Sequence, residues 1–152
     1  MGKIRKKTKL KSEVLRKECV NLAKLIVKTV AGWKCDYCGK IKPNVAIHAH
    51  HIYNEGIHRA MSADTDNLIV VCFTHHLGGW NAKEPSFHRN PQEMADFING
   101  KYPERMKELK LRARQNQQAD EQFWEKKYKE LTKQYQKLCQ IQQKQKPIVL
   151  PF

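Results

Sequence analysis

Two short cysteine and histidine turns constrain this chain more than anything else in it. Cys35-Asp36-Tyr37-Cys38 and Cys72-Phe73-Thr74-His75 each place two metal-ligand side chains about one turn apart, with 33 residues between the two motifs. Four soft or borderline ligands supplied as two such knuckles suit tetrahedral zinc. Two β-prone runs, Ala46–Ile52 and Asn67–Val71, lie between the knuckles, so the spacing predicts a hairpin stapled at its ends. Ligation supplies folding free energy to a segment too small to bury a large core. Structural Zn2+ is therefore expected on Cys35, Cys38, Cys72 and His75.

The five cysteines belong to a reducing context, where clustered pairs indicate metal rather than disulfides. The basic N-terminus leads into an amphipathic segment and not an apolar signal region, so no secretory signal is expected. No run approaches the roughly 18 apolar residues of a spanning helix, which excludes a transmembrane protein. Lys and Arg number 29 against 15 Asp and Glu, giving a net charge of +14 that favours a polyanionic partner, nucleic acid first. The charge is unevenly placed: +9 over residues 1–34, −2 over 35–100 and +7 over 101–152. All seven histidines fall in the middle block. Two basic flanks thus bracket a slightly acidic centre rich in ligands.

The order of elements predicts an α+β chain in four parts. Residues 1–31 are a basic arm and a helix: six Lys/Arg and no acid over 1–11 read as a mobile arm, and helical periodicity over 12–30 ends at Gly32. Cys19 lies on the apolar face of that helix, as a core residue. Residues 32–100 form the zinc-stapled core, with a long polar loop from Tyr53 to Asp66 and a short helix from Cys72 or Phe73, stopped by Gly78-Gly79. Asn90-Pro91-Gln92-Glu93 signals a new helix running to about Asn99-Gly100. Residues 101–146 are a long helical extension. In it Trp124, Tyr128, Leu131, Tyr135 and Leu138 make a short heptad seam, which either packs on the first helix or joins two copies. The apolar tail 147–152 either folds back on its own domain or docks weakly on a clamp or another replication protein. His88 reads as a local bond or packing residue.

Once the zinc ligands are assigned, His50, His51, Asn67 and His76 remain in the central block. The run from Gly32 to Arg114, with GWKCDYCGK, HAHHI, DTDNLIVVC, THH and HRNPQEMADFI, resembles an HNH endonuclease of the ββα-metal superfamily, and in particular the phage recombination endonucleases of the NinG type. The resemblance implies a ββα-metal core and metal-dependent hydrolysis of DNA phosphodiesters. It makes His51 the general base, His50 and His76 ligands of a catalytic divalent metal, and Asn67 a residue that braces the loop or orients His51. Branched recombination intermediates such as Holliday junctions are the implied substrates, in the cytoplasm of a bacterial host, with a phage origin. The alternative is a non-catalytic, zinc-stapled DNA-binding or recombination-accessory protein.

Two departures from the family pattern matter. His75 stands where Cys is more frequent, so either His75 or His76 can close the zinc site. His50 stands where Asp is usual; imidazole suits transition metals, so activity with Mn2+, Ni2+ or Co2+ should at least equal that with Mg2+. Strand geometry adds a constraint. In a regular strand His50 and His51 face opposite sides, so one shared site predicts a break or bulge there. In an unbroken strand His48 shares a face with His50 and becomes the rival ligand. Lys3, Arg5, Lys6 and Lys7 of the arm and Arg59 of the long loop are the candidate phosphate contacts.

Overall fold

The computed structural model describes the backbone of residues 2–79, 83–115 and 117–145, with side chains from residue 11 to residue 143 within those spans. The chain is largely helical and carries one small sheet. Helix α1 runs Gly2–Val30, strand β1 Ile47–His51, strand β2 Leu68–Cys72, helix α2 Phe73–Leu77, α3 Pro91–Lys101, α4 Pro103–Arg114 and α5 Glu121–Gln145.

Helix α1 overturns one expectation, since the basic arm continues it back to Gly2 instead of hanging free. Lys and Arg are good helix formers, and neither Gly nor Pro interrupts the chain from Lys3 to Ala31. The other end stops as the glycine predicts. Gly32 adopts φ +61° and donates to Thr29, while Trp33 donates to Lys28 over 2.8 Å, the paired bonds that satisfy the last carbonyls of a helix.

β1 and β2 pair antiparallel in an unbroken register from Ile47↔Cys72 to His51↔Leu68. The break expected at His50–His51 is absent. β2 is buried along its whole length: Leu68 packs with residues of α1 and α5, and Ile69 to Cys72 pack with Cys35, Ile98 and the end of α1. The connection between the strands is two short 3-10 turns, Arg59–Met61 and Thr65–Asn67.

α5 lies beside α1 in the same direction: Lys11 bonds to Glu121 near the start of both, and Gln134 shares a groove with Ile26, Val27 and Val30 near the end of α1. Trp124 and Leu131 are buried there with Cys19, Val20, Ala23 and Ile26, and Tyr135 and Leu138 pack against them. Four of the five seam residues are thus covered by α1 of the same chain, leaving Tyr128 exposed. The seam is a cis contact with α1. α3 reaches Lys101, one residue past the expected boundary, and Pro103 starts α4 immediately after. Arg105 donates to the carbonyls of Asp66 and Leu68, and Arg112 pairs with Asp64 and Asp66, so α4 is fastened to the hairpin as part of the core. The tail 147–152 lies outside the described residues. No described helix is long and apolar enough to cross a membrane.

Candidate metal centres

The first knuckle is a tight turn that points its sulfurs inward. The amide of Cys35 bonds to Lys40, and Gly39, at φ +74°, donates back to Cys35. The second knuckle is the junction of β2 with α2, where Cys72 closes the strand and His75 lies within the first turn of the helix. Sγ of Cys38 and Sγ of Cys72 are 3.9 Å apart, and Nδ1 of His75 is 3.7 Å from Cys35 and 3.1 Å from Cys72. An ion bound tetrahedrally with bonds of about 2.3 Å to sulfur sets neighbouring sulfurs about 3.8 Å apart. The four side chains therefore form a Cys3His group that could hold a structural metal such as zinc. His75 closes it and His76 does not, which resolves the register.

The surroundings suit such a group. The His75 side chain is fully buried, with the ring of Tyr37 at 4.4 Å and a carboxylate oxygen of Glu84 3.0 Å from Nε2. That approach is a charge contact and not an aligned hydrogen bond, since Nε2 of His75 has no hydrogen-bond partner among the described residues. All five cysteines are free thiols.

A second group lies on the other side of α2. Neighbours on a helix diverge by about 100°, and His76 accordingly turns away from the sulfurs. His50, His76 and His88 each bring a ring nitrogen within 4.8 Å of the others. His88 is the residue that sequence reasoning missed. The chain returns after α2 and pairs with it, Phe87 donating to the carbonyl of His75 and His88 to that of His76, which carries the imidazole into the cleft. The only advance signal was a histidine twelve positions after His76. Phe87 stacks on His50 at 4.2 Å. His48 faces the same way as His50, as the unbroken strand requires, and its Nδ1 lies 2.7 Å from Nδ1 of His76. It touches one member of the trio without joining it.

Burial, reinforced by His76 and His88, pushes His50 down to about 3; burial together with His48 and His88 pushes His76 down to about 4. Both rings are therefore neutral at physiological pH, the form that coordinates metal.

His51 faces the opposite side of β1. Its Nε2 is 2.8 Å from the carbonyl of Ser62 and 3.9 Å from a carboxylate oxygen of Glu55. A carbonyl only accepts, so Nε2 carries the proton and Nδ1 presents a lone pair. Burial lowers the pKa of His51, against the pull of Ser62 and Glu55. Asn67 is fully buried and bonds only to backbone: Oδ1 accepts from Tyr53, and Nδ2 donates to Tyr53 and Met61. These bonds clasp the two ends of the loop that carries Ser62. Among the described residues no hydrogen bond or ring contact joins His51 to the histidine trio. Arg59 bonds to Glu13 of α1 over 2.6 Å, while the side chains of Lys3, Arg5, Lys6 and Lys7 lie outside the described residues.

Neither family models, nor curated proteins, nor solved structures give a match to this chain.

Proposed function

We propose that this chain is a metal-dependent DNA endonuclease of the HNH type, with a zinc-stapled hairpin and helix as its core. The observation that carries the reading is the placement of two kinds of histidine at one strand end. His50 belongs to a three-imidazole group in which burial keeps His50 and His76 neutral, and the next residue, His51, offers an unprotonated Nδ1.

Three histidines with open positions form a ligand set for a catalytic transition metal, which would polarise the phosphate and stabilise the departing oxygen. His48 holds Nδ1 of His76 and so positions that ligand. His50 and His51 are the last residues of β1, so a phosphodiester laid across the strand end faces the trio on one side and His51 on the other. His51 takes a proton from water at Nδ1 as the oxygen attacks phosphorus in line, and Ser62 holds the ring against rotation throughout. The imidazolium that forms is favoured by Glu55 and by the same carbonyl. Asn67 acts by keeping Ser62 in place. The products are a 5′ phosphate and a 3′ hydroxyl. Branched recombination intermediates are the proposed substrates, on the likeness to NinG-type enzymes.

Cleavage of matched linear, nicked, flap and four-way DNA, with Mg2+, Mn2+, Co2+ or Ni2+, tests this. The wild type should cut at least as fast with the transition ions as with Mg2+, and His51→Ala should lose at least 100-fold. Equal cutting by His51→Ala removes that residue from its role. No cutting by the wild type under any of these conditions leaves a zinc-stapled DNA-binding protein.

A further inference from the structure

Most of the cations around the cleft are already neutralised. Arg16 pairs with Glu13 and Glu55, Arg59 with Glu13, Lys101 with Asp36, and Arg112 with Asp64, Asp66 and Glu108. Lys24, Lys28 and Lys42 differ, for none of them has a carboxylate within 4.0 Å among the described residues.

Their placement is not scattered. Lys24 and Lys28 are four residues apart and share one face of α1. Both lie on the helix that packs against β1, the strand that carries His48, His50 and His51. The ammonium groups of Lys28 and Lys42 lie 4.9 and 4.8 Å from the centre of the Trp33 indole. Trp33 is held there by the turn that ends α1, at φ +55°. Lys28 is half-buried and is repelled by both Lys42 and Lys24, so the row stands at a local electrostatic cost. Mutual repulsion without a counter-charge is relieved by a bound anion. A row of separate cations matches a polymer carrying charge at intervals better than a single small anion.

We infer that Lys24, Lys28 and Lys42, with Trp33 as the shared support of the last two, form a phosphate-backbone track that leads a nucleic-acid strand onto the histidine cleft. The choice of nucleic acid rests on the nuclease reading, and the track moves the principal grip from the N-terminal arm to the second half of α1.

The test is binding of the full-length, zinc-loaded chain to a fluorescent 20-bp DNA duplex over a salt series, without added catalytic metal. Each phosphate contact contributes about 0.9 to the slope of log K against log salt. The variant Lys24→Ala/Lys28→Ala/Lys42→Ala should flatten the slope by about 2 to 3 and weaken binding about 10-fold or more near physiological salt. Lys24→Arg/Lys28→Arg/Lys42→Arg should keep the wild-type slope. Lys129→Ala/Lys133→Ala/Lys137→Ala, the same charge change on the exposed face of α5, should have a much smaller effect. An unchanged slope in the α1 variant, or an equal loss in the α5 variant, overturns the track. Cutting is not read in this assay, so an inactive protein with the expected slopes sinks the nuclease reading alone, and an active one with unchanged slopes sinks the track alone.

Discussion

Asn67 shows how one side chain can matter to a site without touching it. Three hydrogen bonds, all to backbone and the one to Met61 fully buried, tie Tyr53 to Met61 and so fix the carbonyl that holds His51. Asn67→Ala leaves those backbone groups without partners, at about 2 to 3 kcal/mol. A fall in Tm of about 5 to 10 °C with zinc content unchanged is the expected calorimetric result; an unchanged Tm would show the clasp to be dispensable. Cys35, Cys38 and Cys72 were legible in the sequence because each knuckle is a local spacing; helix geometry sends His75 and His76 apart but left open which of them closes the group, and the structure decides for His75. His88 was not legible. Its place depends on the chain doubling back to pair with α2, a non-local event that no periodicity records. The bulge expected at His50–His51 came from requiring both residues to face one ligand set; the strand instead stays regular and puts the two histidines on different sides of its end.

Among the elements, α5 carries the largest single packing contribution. Trp124 is fully buried against Cys19 and its neighbours, and its Nε1 donates to the carbonyl of Ala119. Trp124→Ala should cost about 3 to 5 kcal/mol, as for other large aromatic truncations in cores. Urea denaturation checks this, and a midpoint within error of the wild type would mean that α5 does not stabilise the fold. The spacing of the seam was plain in the sequence, but its partner was not, because a heptad stripe looks the same whether it covers its own domain or a second copy. The end of α3 fell one residue past the expected boundary, and its start followed from Asn90-Pro91. The start of α1 did not, since charge repulsion and helix propensity oppose each other in a lysine-rich run and composition does not say which prevails.

For the molecule as a whole, a chain of ion pairs ties the basic first helix to the loop beside His51. Glu13 bonds to Arg16 and to Arg59, and Arg16 reaches Glu55. Arg16 and Arg59 hold the Glu13 carboxyl down to about 2. Its folded pKa is below the unfolded value, so its contribution is present above about 4.5 and is lost as pH falls toward 2. Glu13→Gln should therefore cost about 1 kcal/mol at pH 7, with most of that cost gone by about pH 2. A difference between the variant and the wild type that does not shrink with acid would exclude Glu13 as the source. Helix α2 has only five residues, far too few to hold its direction unaided. The aim of His76 is inherited from the ligand group that grips Cys72 and His75 one residue away. A metal ion held by that group would set the sights of the cleft as well as staple the fold, and its removal by a chelator would turn His76 out of line even in a chain that stays folded.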